Sequence, residues 1–196
     1  MTEKEIQQLL HQIALTADQQ AFRQLFRHFA PPLSQFARSF IKDREAAEEI
    51  VEDVFVAIWR KREQLTEIAG IRVYLYVTTR NLCINYLNRS KRVFTDLDQL
   101  DVTCASLVPT PEDVMLAAEM NRAINAAVQE LPPKCRIIYK LVKEDGLKYK
   151  EVAEILGISD RTVETHIGTA LKKIAAAIRL DFKTVHTLIP GNAEKK

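Results

Sequence analysis

The chain has 196 residues, of which 47% are hydrophobic and 28% charged, a composition that excludes wholesale disorder and leaves room for one sizeable core or two small ones. Only five glycines occur, which argues against a sheet-rich fold with many tight turns, so mostly helix is expected. A formal net charge of +2 is too small to make the whole surface a trap for polyanions, so any nucleic-acid role must rest on local basic patches.

The amino-terminal stretch MTEKEIQQLLHQIALTADQQ is polar and amphipathic, without the apolar run of a signal peptide, and no window approaches the roughly 20 apolar residues that span a bilayer. A soluble, cytoplasmic protein without membrane insertion is expected. Leu25, Phe29, Leu33, Phe36 and Phe40 recur at helical spacing, and Pro31 and Pro32 are expected to break that run. Asp43 then caps a helix running to about Arg62. Its Ala47, Ile50, Val51, Val54, Phe55 and Ile58 fall on one face, and Glu45, Glu48, Glu49, Glu52 and Asp53 on the other.

The loop-like TEIAGIRV leads into YLYVTTRNLCINYLNRSKR, which holds no acidic residue from Arg80 to Arg92. The next stretch, VFTDLDQLDVTCASLVPTPE, reverses this: it carries Asp96, Asp98, Asp101 and Glu112 with Pro109 and Pro111, but no Lys or Arg, and reads as a linker. Beyond it, DVMLAAEMNRAINAAVQEL is a helical pattern stopped by Pro132 and Pro133, and KCRIIYKLVKEDG is another ending at Gly146. After Leu180 the tail DFKTVHTLIPGNAEKK loses periodicity and is expected to fray. The predicted architecture is all-α: two small helical domains joined by a linker, with boundaries at 1–92, 93–112, 113–180 and a tail 181–196.

Within the second domain, EVAEILGISDRTVETHIGTALKK has the makings of a helix-turn-helix. Gly157 supplies the turn without a Cβ penalty, Ala153 permits close approach, and Val152, Leu156, Ile158, Val163 and Ile167 bury the shared seam. Ser159 caps the second helix, whereas Lys148 is a poor cap for the first, so that start is expected to be ragged. Ser159, Arg161, Thr162, Glu164, Thr165, Thr169, Lys172 and Lys173 are the candidate DNA contacts, placed where a helix in the major groove presents side chains to bases and phosphates. His166 fits beside the seam as well as on DNA.

The order and spacing of REAAEEIVEDVFVAIWRKREQL, IRVYLYVTTRNLCINYLNRSKR and LPPKCRIIYKLVKEDGLKYKEVAEILGISDRTVETHIGTALKKI resemble the bacterial sigma factors of the extracytoplasmic-function type, group 4, in their compact two-domain form. The resemblance spans about Ala21 to Ile178. It implies that the acidic helix docks on the β′ clamp helices of RNA polymerase core, with Glu48, Glu49, Glu52 and Asp53 at the matching positions. It further implies that the next helix separates promoter strands and reads the minus-ten element. Unstacked bases need replacement surfaces and exposed phosphates need cations. Tyr74, Tyr76 and Tyr86 are available for stacking, although three rings on adjacent turns cannot all face outward. Arg80, Asn81, Asn85 and Arg89 offer donors, and Lys91 and Arg92 extend the basic end.

The loop from Thr66 to Ile71 resembles the one that captures a flipped base in that family. The second domain, on the same resemblance, reads the minus-thirty-five element and touches the β flap, and an anti-sigma factor is an implied partner. Many relatives carry Asp where this chain has Asn85, and Gly168 stands where a polar or basic residue is common.

Each half has few surplus cations: fourteen Lys or Arg against eleven acids up to Arg92, and the same two counts from Asp113 onward. Two weak readers on a tether gain affinity only when something fixes their separation, and a polymerase core is expected to do so. The competing reading is a stand-alone helix-turn-helix regulator with an amino-terminal sensing or dimerisation domain. An enzyme is the weakest class: His11, His28, His166 and His186 are scattered and no phosphate-cradling glycine loop exists. Cys83, Cys104 and Cys135 are odd in number and widely spaced, suiting neither a disulfide framework nor a metal site. No catalytic residue, cofactor or metal is assigned.

Overall fold

The computed structural model describes residues 1–89 and 113–188, with side chains for 1–89 and 121–178. Lys91, Arg92, the expected linker 93–112 with Cys104, and the last residues of the tail from 189 lie outside the described residues. Among those described, every regular element is helical.

Helix α1 (Glu3–Thr16) begins with a reciprocal cap: the Thr2 amide donates to Glu5 at 2.7 Å and the Glu5 amide to the Thr2 hydroxyl at 3.4 Å. Its Ile6, Leu9, Leu10 and Ile13 are buried against α2 (Gln19–Ala37) and a 3-10 helix (Arg62–Glu67). Asp18 caps α2, accepting from Gln20 at 2.7 Å and Ala21 at 3.1 Å. The expected break at Pro31 and Pro32 does not occur, because α2 continues through both. Each proline removes one backbone hydrogen bond, a loss of about 3 kcal/mol in a helix interior. Burial of Phe29, Leu33, Phe36 and Ala37 on the same helix outweighs it, at about 1.5–3 kcal/mol for each large side chain.

Asp43 caps α3 (Arg44–Arg60) as its position predicts, accepting from Glu45 and Ala46. The apolar face from Ala46 to Ile58 is buried. Helix α4 (Ile71–Arg89) completes the first domain and packs on α2 and α3.

In the second domain, α5 (Asp113–Gln129) and α6 (Pro133–Lys143) both pack on α8 (Asp160–Leu188), around Ala127, Val128, Leu131, Cys135, Ala170 and Ile174. Arg136, though 7% exposed, ties the α5–α6 corner by donating to Gln129 Oε1 at 3.1 Å and the Leu131 carbonyl at 3.0 Å. Helix α7 (Tyr149–Leu156) is not left ragged by Lys148, since the Glu151 carboxylate accepts from the Lys148 amide at 2.6 Å. Helix α8 runs on to Leu188, eight residues past Leu180, so fraying does not begin where periodicity weakens. The two domains are in contact: α7 packs on α4, and one buried cluster extends from the first domain into Ile138, Leu141, Val152 and Leu156.

Candidate nucleic-acid and protein interfaces

Three surfaces carry the predicted site residues. On α3, Glu49, Glu52 and Asp53 are exposed on the side opposite the buried stripe, while Glu48 is half-buried and engaged by Arg44 at 2.7 Å. Beside these acids the sequence did not mark an open groove between α2 and α3. Phe22, Phe26, Phe55, Val56 and Trp59 line it, with Glu52, Arg23 and Arg60 at its edge. Phe22 stacks edge-on with Trp59 at 4.9 Å and Phe26 with Phe55 at 4.8 Å, so the rings form a firm wall rather than loose side chains. Alternating acids and apolar core positions hid this feature, because Phe22 and Phe26 belong to another helix.

On α4 the structure separates the predicted readers into two groups. Tyr74, Asn81, Asn85 and Arg89 are exposed and recur every four residues or, from Tyr74 to Asn81, after seven, which places them along one side of the helix. Tyr86 is exposed at its flank. Arg80 and Tyr76 turn away from it. Tyr76 is 2% exposed, its ring edge-on to Phe36 at 5.1 Å and its hydroxyl donating to Asp145 Oδ2 at 2.8 Å, so it is not available for base stacking. Burial, the nearby Asp145 charge and this hydrogen bond all keep the phenol protonated. Arg80 is half-buried and its guanidinium lies against the turn at Gly157. Within the candidate flipped-base loop, Thr66 and Glu67 end the 3-10 helix and are exposed, but Ile71 is 1% exposed and anchors the start of α4. Burial pushes the Cys83 thiol up to about 12, which fits a packing role rather than that of a nucleophile.

The third surface is the helix-turn-helix. Gly157 adopts φ +67°, and the Gly157 and Ile158 amides return to the Glu154 and Ala153 carbonyls at 3.3 and 3.0 Å, closing α7 with the left-handed turn its sequence predicts. Val152, Leu156, Val163 and Ile167 are buried in the seam. Ser159 caps α8, accepting from the Thr162 amide at 3.1 Å, and its hydroxyl is 2.8 Å from that of Thr162. Arg161, Glu164, Thr165, Thr169 and Lys172 are exposed on the face away from the seam. The Thr165 and Thr169 hydroxyls donate to the Arg161 and Thr165 carbonyls, which leaves their methyl groups and lone pairs for an outside partner. Lys173 is exposed on another side, where its charge opposes the rise that burial imposes on the Cys135 thiol. His166 is half-buried, and its carbonyl accepts from Cys135 at 3.1 Å.

Among the described residues no helix is long and apolar enough to cross a membrane, and no cluster of His, Cys, Asp and Glu has the makings of a metal site. Two family models match this chain in order: Sigma-70 region 2 over residues 25–93, and Sigma-70, region 4 over residues 121–174. The chain is 29% identical to the RNA polymerase sigma factor NccH of Alcaligenes xylosoxydans xylosoxydans, over 91% of this chain and 98% of that protein. It is 25% identical to the ECF RNA polymerase sigma-E factor of Haemophilus influenzae, over 91% and 98% respectively. A solved structure of the sigma factor RpoE in complex with the anti-sigma factor NepR, from Bartonella quintana, has the same fold. It aligns with a TM-score of 0.53 and 21% identity over 82% of this chain and 98% of that one.

Proposed function

The chain belongs to the sigma-70 family, as an RNA polymerase sigma factor of the extracytoplasmic-function type that serves promoter-specific transcription initiation, and from that premise we propose how its surfaces divide the work. Two sigma-70 regions in one chain leave the stand-alone regulator without support.

Glu48, Glu49, Glu52 and Asp53 dock on polymerase core at the β′ clamp helices, with the Phe22–Trp59 groove receiving apolar side chains beside the acids. The polar side of α4, with Tyr74, Asn81, Asn85 and Arg89, holds the opened minus-ten strand: the ring stacks, the amides read base edges and the guanidinium meets phosphate. Lys91 and Arg92 continue that basic end. The exposed face of α8 enters the major groove at the minus-thirty-five element, Arg161, Thr162, Glu164, Thr165 and Thr169 toward bases, Lys172 and Lys173 toward phosphates, and Ser159 fixing the helix start. The second domain also meets the β flap. An anti-sigma partner is proposed from the NepR-bound neighbour. The chain itself performs no catalytic step, and it works in the cytoplasm where polymerase and DNA meet.

The observation that carries this division is the exposed polar side of α4, a helix packed on the acidic, groove-bearing α3. Reversing Glu49, Glu52 and Asp53 together to Lys tests it by core capture and run-off transcription. At least tenfold weaker capture is expected, about 1.4 kcal/mol, with helical content unchanged. Capture equal to the parent chain would remove α3 from the docking surface.

A further inference from the structure

The groove between α2 and α3 carries a second charge, opposite in sign to the acids of α3. Phe22 meets Trp59 and Phe55, with ring centroids 4.9 and 6.0 Å apart, and Phe26 meets Phe55 at 4.8 Å, so the two helices run antiparallel with their rings interlocked along the wall. Glu52, Val56 and Arg60 follow at intervals of four on the side of α3 that lines the groove. Two turns, about 12 Å of helix axis, therefore separate the carboxylate from the guanidinium, and Val56, 47% exposed, stands between them. Arg23 enters the same groove from α2, next in sequence to Phe22.

These cations are uncommitted. Arg23 and Arg60 are exposed, and among the described residues neither guanidinium has an ion pair, although Glu52 lines the same groove. Arg60 suits the last turn of α3, where a cation complements the helix dipole, but Arg23 lies early in α2 and gains nothing from that source. Arg62 adds to the charge at this end: its guanidinium lies 5.4 Å from the centre of the Trp59 ring and donates to the Trp59 carbonyl at 3.2 Å, with Glu63 at 4.0 Å.

A helix laid in this groove meets apolar side chains at its middle and opposite charges toward its two ends. The rings and Val56 accept either direction of such a helix. The charges do not, because turning it round sets like against like at both ends. Resting on the sigma-factor reading and on core docking at α3, we infer that Arg23 and Arg60 form a carboxylate-binding end of the groove, which together with the α3 acids fixes the direction in which a helix of core polymerase lies across α2 and α3. The occupant is an amphipathic helix of core that carries an acidic residue about two turns from a basic one, on the same side as its apolar anchors.

Arg23→Glu with Arg60→Glu in the full chain tests this by capture on core enzyme. Capture should weaken about tenfold, chiefly through slower association, and the difference should shrink at high salt. Because Arg60→Glu also opposes the dipole of α3, Arg23→Ala with Arg60→Ala is measured beside it and should weaken capture about threefold at unchanged helical content. Lys4→Glu with Lys143→Glu alters the net charge equally at exposed positions outside the groove and should capture core as the parent does. The decisive arm uses core enzymes in which each acidic residue of the β′ clamp helices is changed in turn to Lys. One such change should weaken capture of the parent and restore that of the Arg23→Glu, Arg60→Glu chain, without rescuing Glu49→Lys, Glu52→Lys and Asp53→Lys together. The inference is overturned if both arginine variants capture core at parent strength, if the Lys4 and Lys143 control is weakened as much, or if no change in core restores the reversed chain. A defect confined to promoter opening, with capture intact, would give these cations to DNA and overturn it too. Parent-strength capture by the triple acid reversal would instead remove α3 docking, the reading beneath it.

Discussion

Two glycines eleven residues apart in the reading hairpin respond to the same added methyl group in opposite ways. Gly157 holds φ +67°, a conformation that disfavours an L side chain by about 1–2 kcal/mol, whereas the added Cβ would only touch the Arg80 guanidinium, at 3.4 Å. Gly168 lies within α8 with open space where a Cβ would go, so Ala there gains about 0.5–1 kcal/mol through the stiffer unfolded chain. Thermal unfolding should therefore show Gly157→Ala melting several degrees lower and Gly168→Ala a few degrees higher than the parent. Equal shifts of one sign would mean that the turn at Gly157 is not left-handed. These residues were legible because their requirement is local: the turn glycine, the Asp43 and Ser159 caps and the seam residues each follow from neighbours within a few positions. Tyr76 was harder, since three tyrosines on one helix compete for outside and inside, and only the tertiary partner Asp145 decides which of them is buried.

At the scale of elements, legibility fell where packing overrides propensity. Pro31 and Pro32 carry a correct local signal for a break, yet Phe29, Leu33 and Phe36 hold the helix across them. The polar and apolar residues of α4 look interleaved because the helix is packed on more than one side, by α2 and α3 within its own domain and by α7 from the other. Charged residues at apolar register gave no usable sign of their roles either. Arg136 shows what such a residue does for an element junction. Its guanidinium bridges Gln129 and the Leu131 carbonyl at the corner where α5 must reverse into α6. Arg136→Ala would leave that buried carbonyl without its donor, a loss of about 1–3 kcal/mol before any cavity is counted. Amide exchange should then speed up in α5 and α6 while α1 to α3 keep their protection, because the first domain makes no use of this bridge. Uniform loss of protection throughout the chain would mean that the two domains unfold as one unit.

For the whole molecule, the presence of two helical domains was legible in the sequence, whereas their contact was not, since Tyr76 and Asp145 share no local pattern across 69 residues. That contact makes the closed form, with the domains together, sensitive to acid. Burial raises the Asp145 carboxyl to about 6; the Tyr76 hydroxyl, Arg72 and Lys140 oppose the rise and Glu144 adds to it. With the domains apart, Asp145 is free to titrate near the ordinary carboxylate value of about 4. Between these two values the closed form binds a proton that the open form lacks, so closure strengthens as pH falls through 6 toward 4 and weakens as pH rises. Two units correspond to at most about 3 kcal/mol, and partial exposure of the turn lowers that figure. His28 is held below the usual imidazole value first by burial and then by the amino terminus and Arg72, but it belongs to α2 and is present in both forms. A spin-label pair at Gln64→Cys and Glu154→Cys, both exposed, in the full chain carrying Cys104→Ser should accordingly report a growing open fraction from pH 5 to pH 7. Asp145→Asn, which cannot ionise, should give a flat profile over the same range. A parent profile as flat as that of the variant would place Asp145 outside the interface in solution, and an equal slope in both would transfer the acid sensitivity to a group other than Asp145.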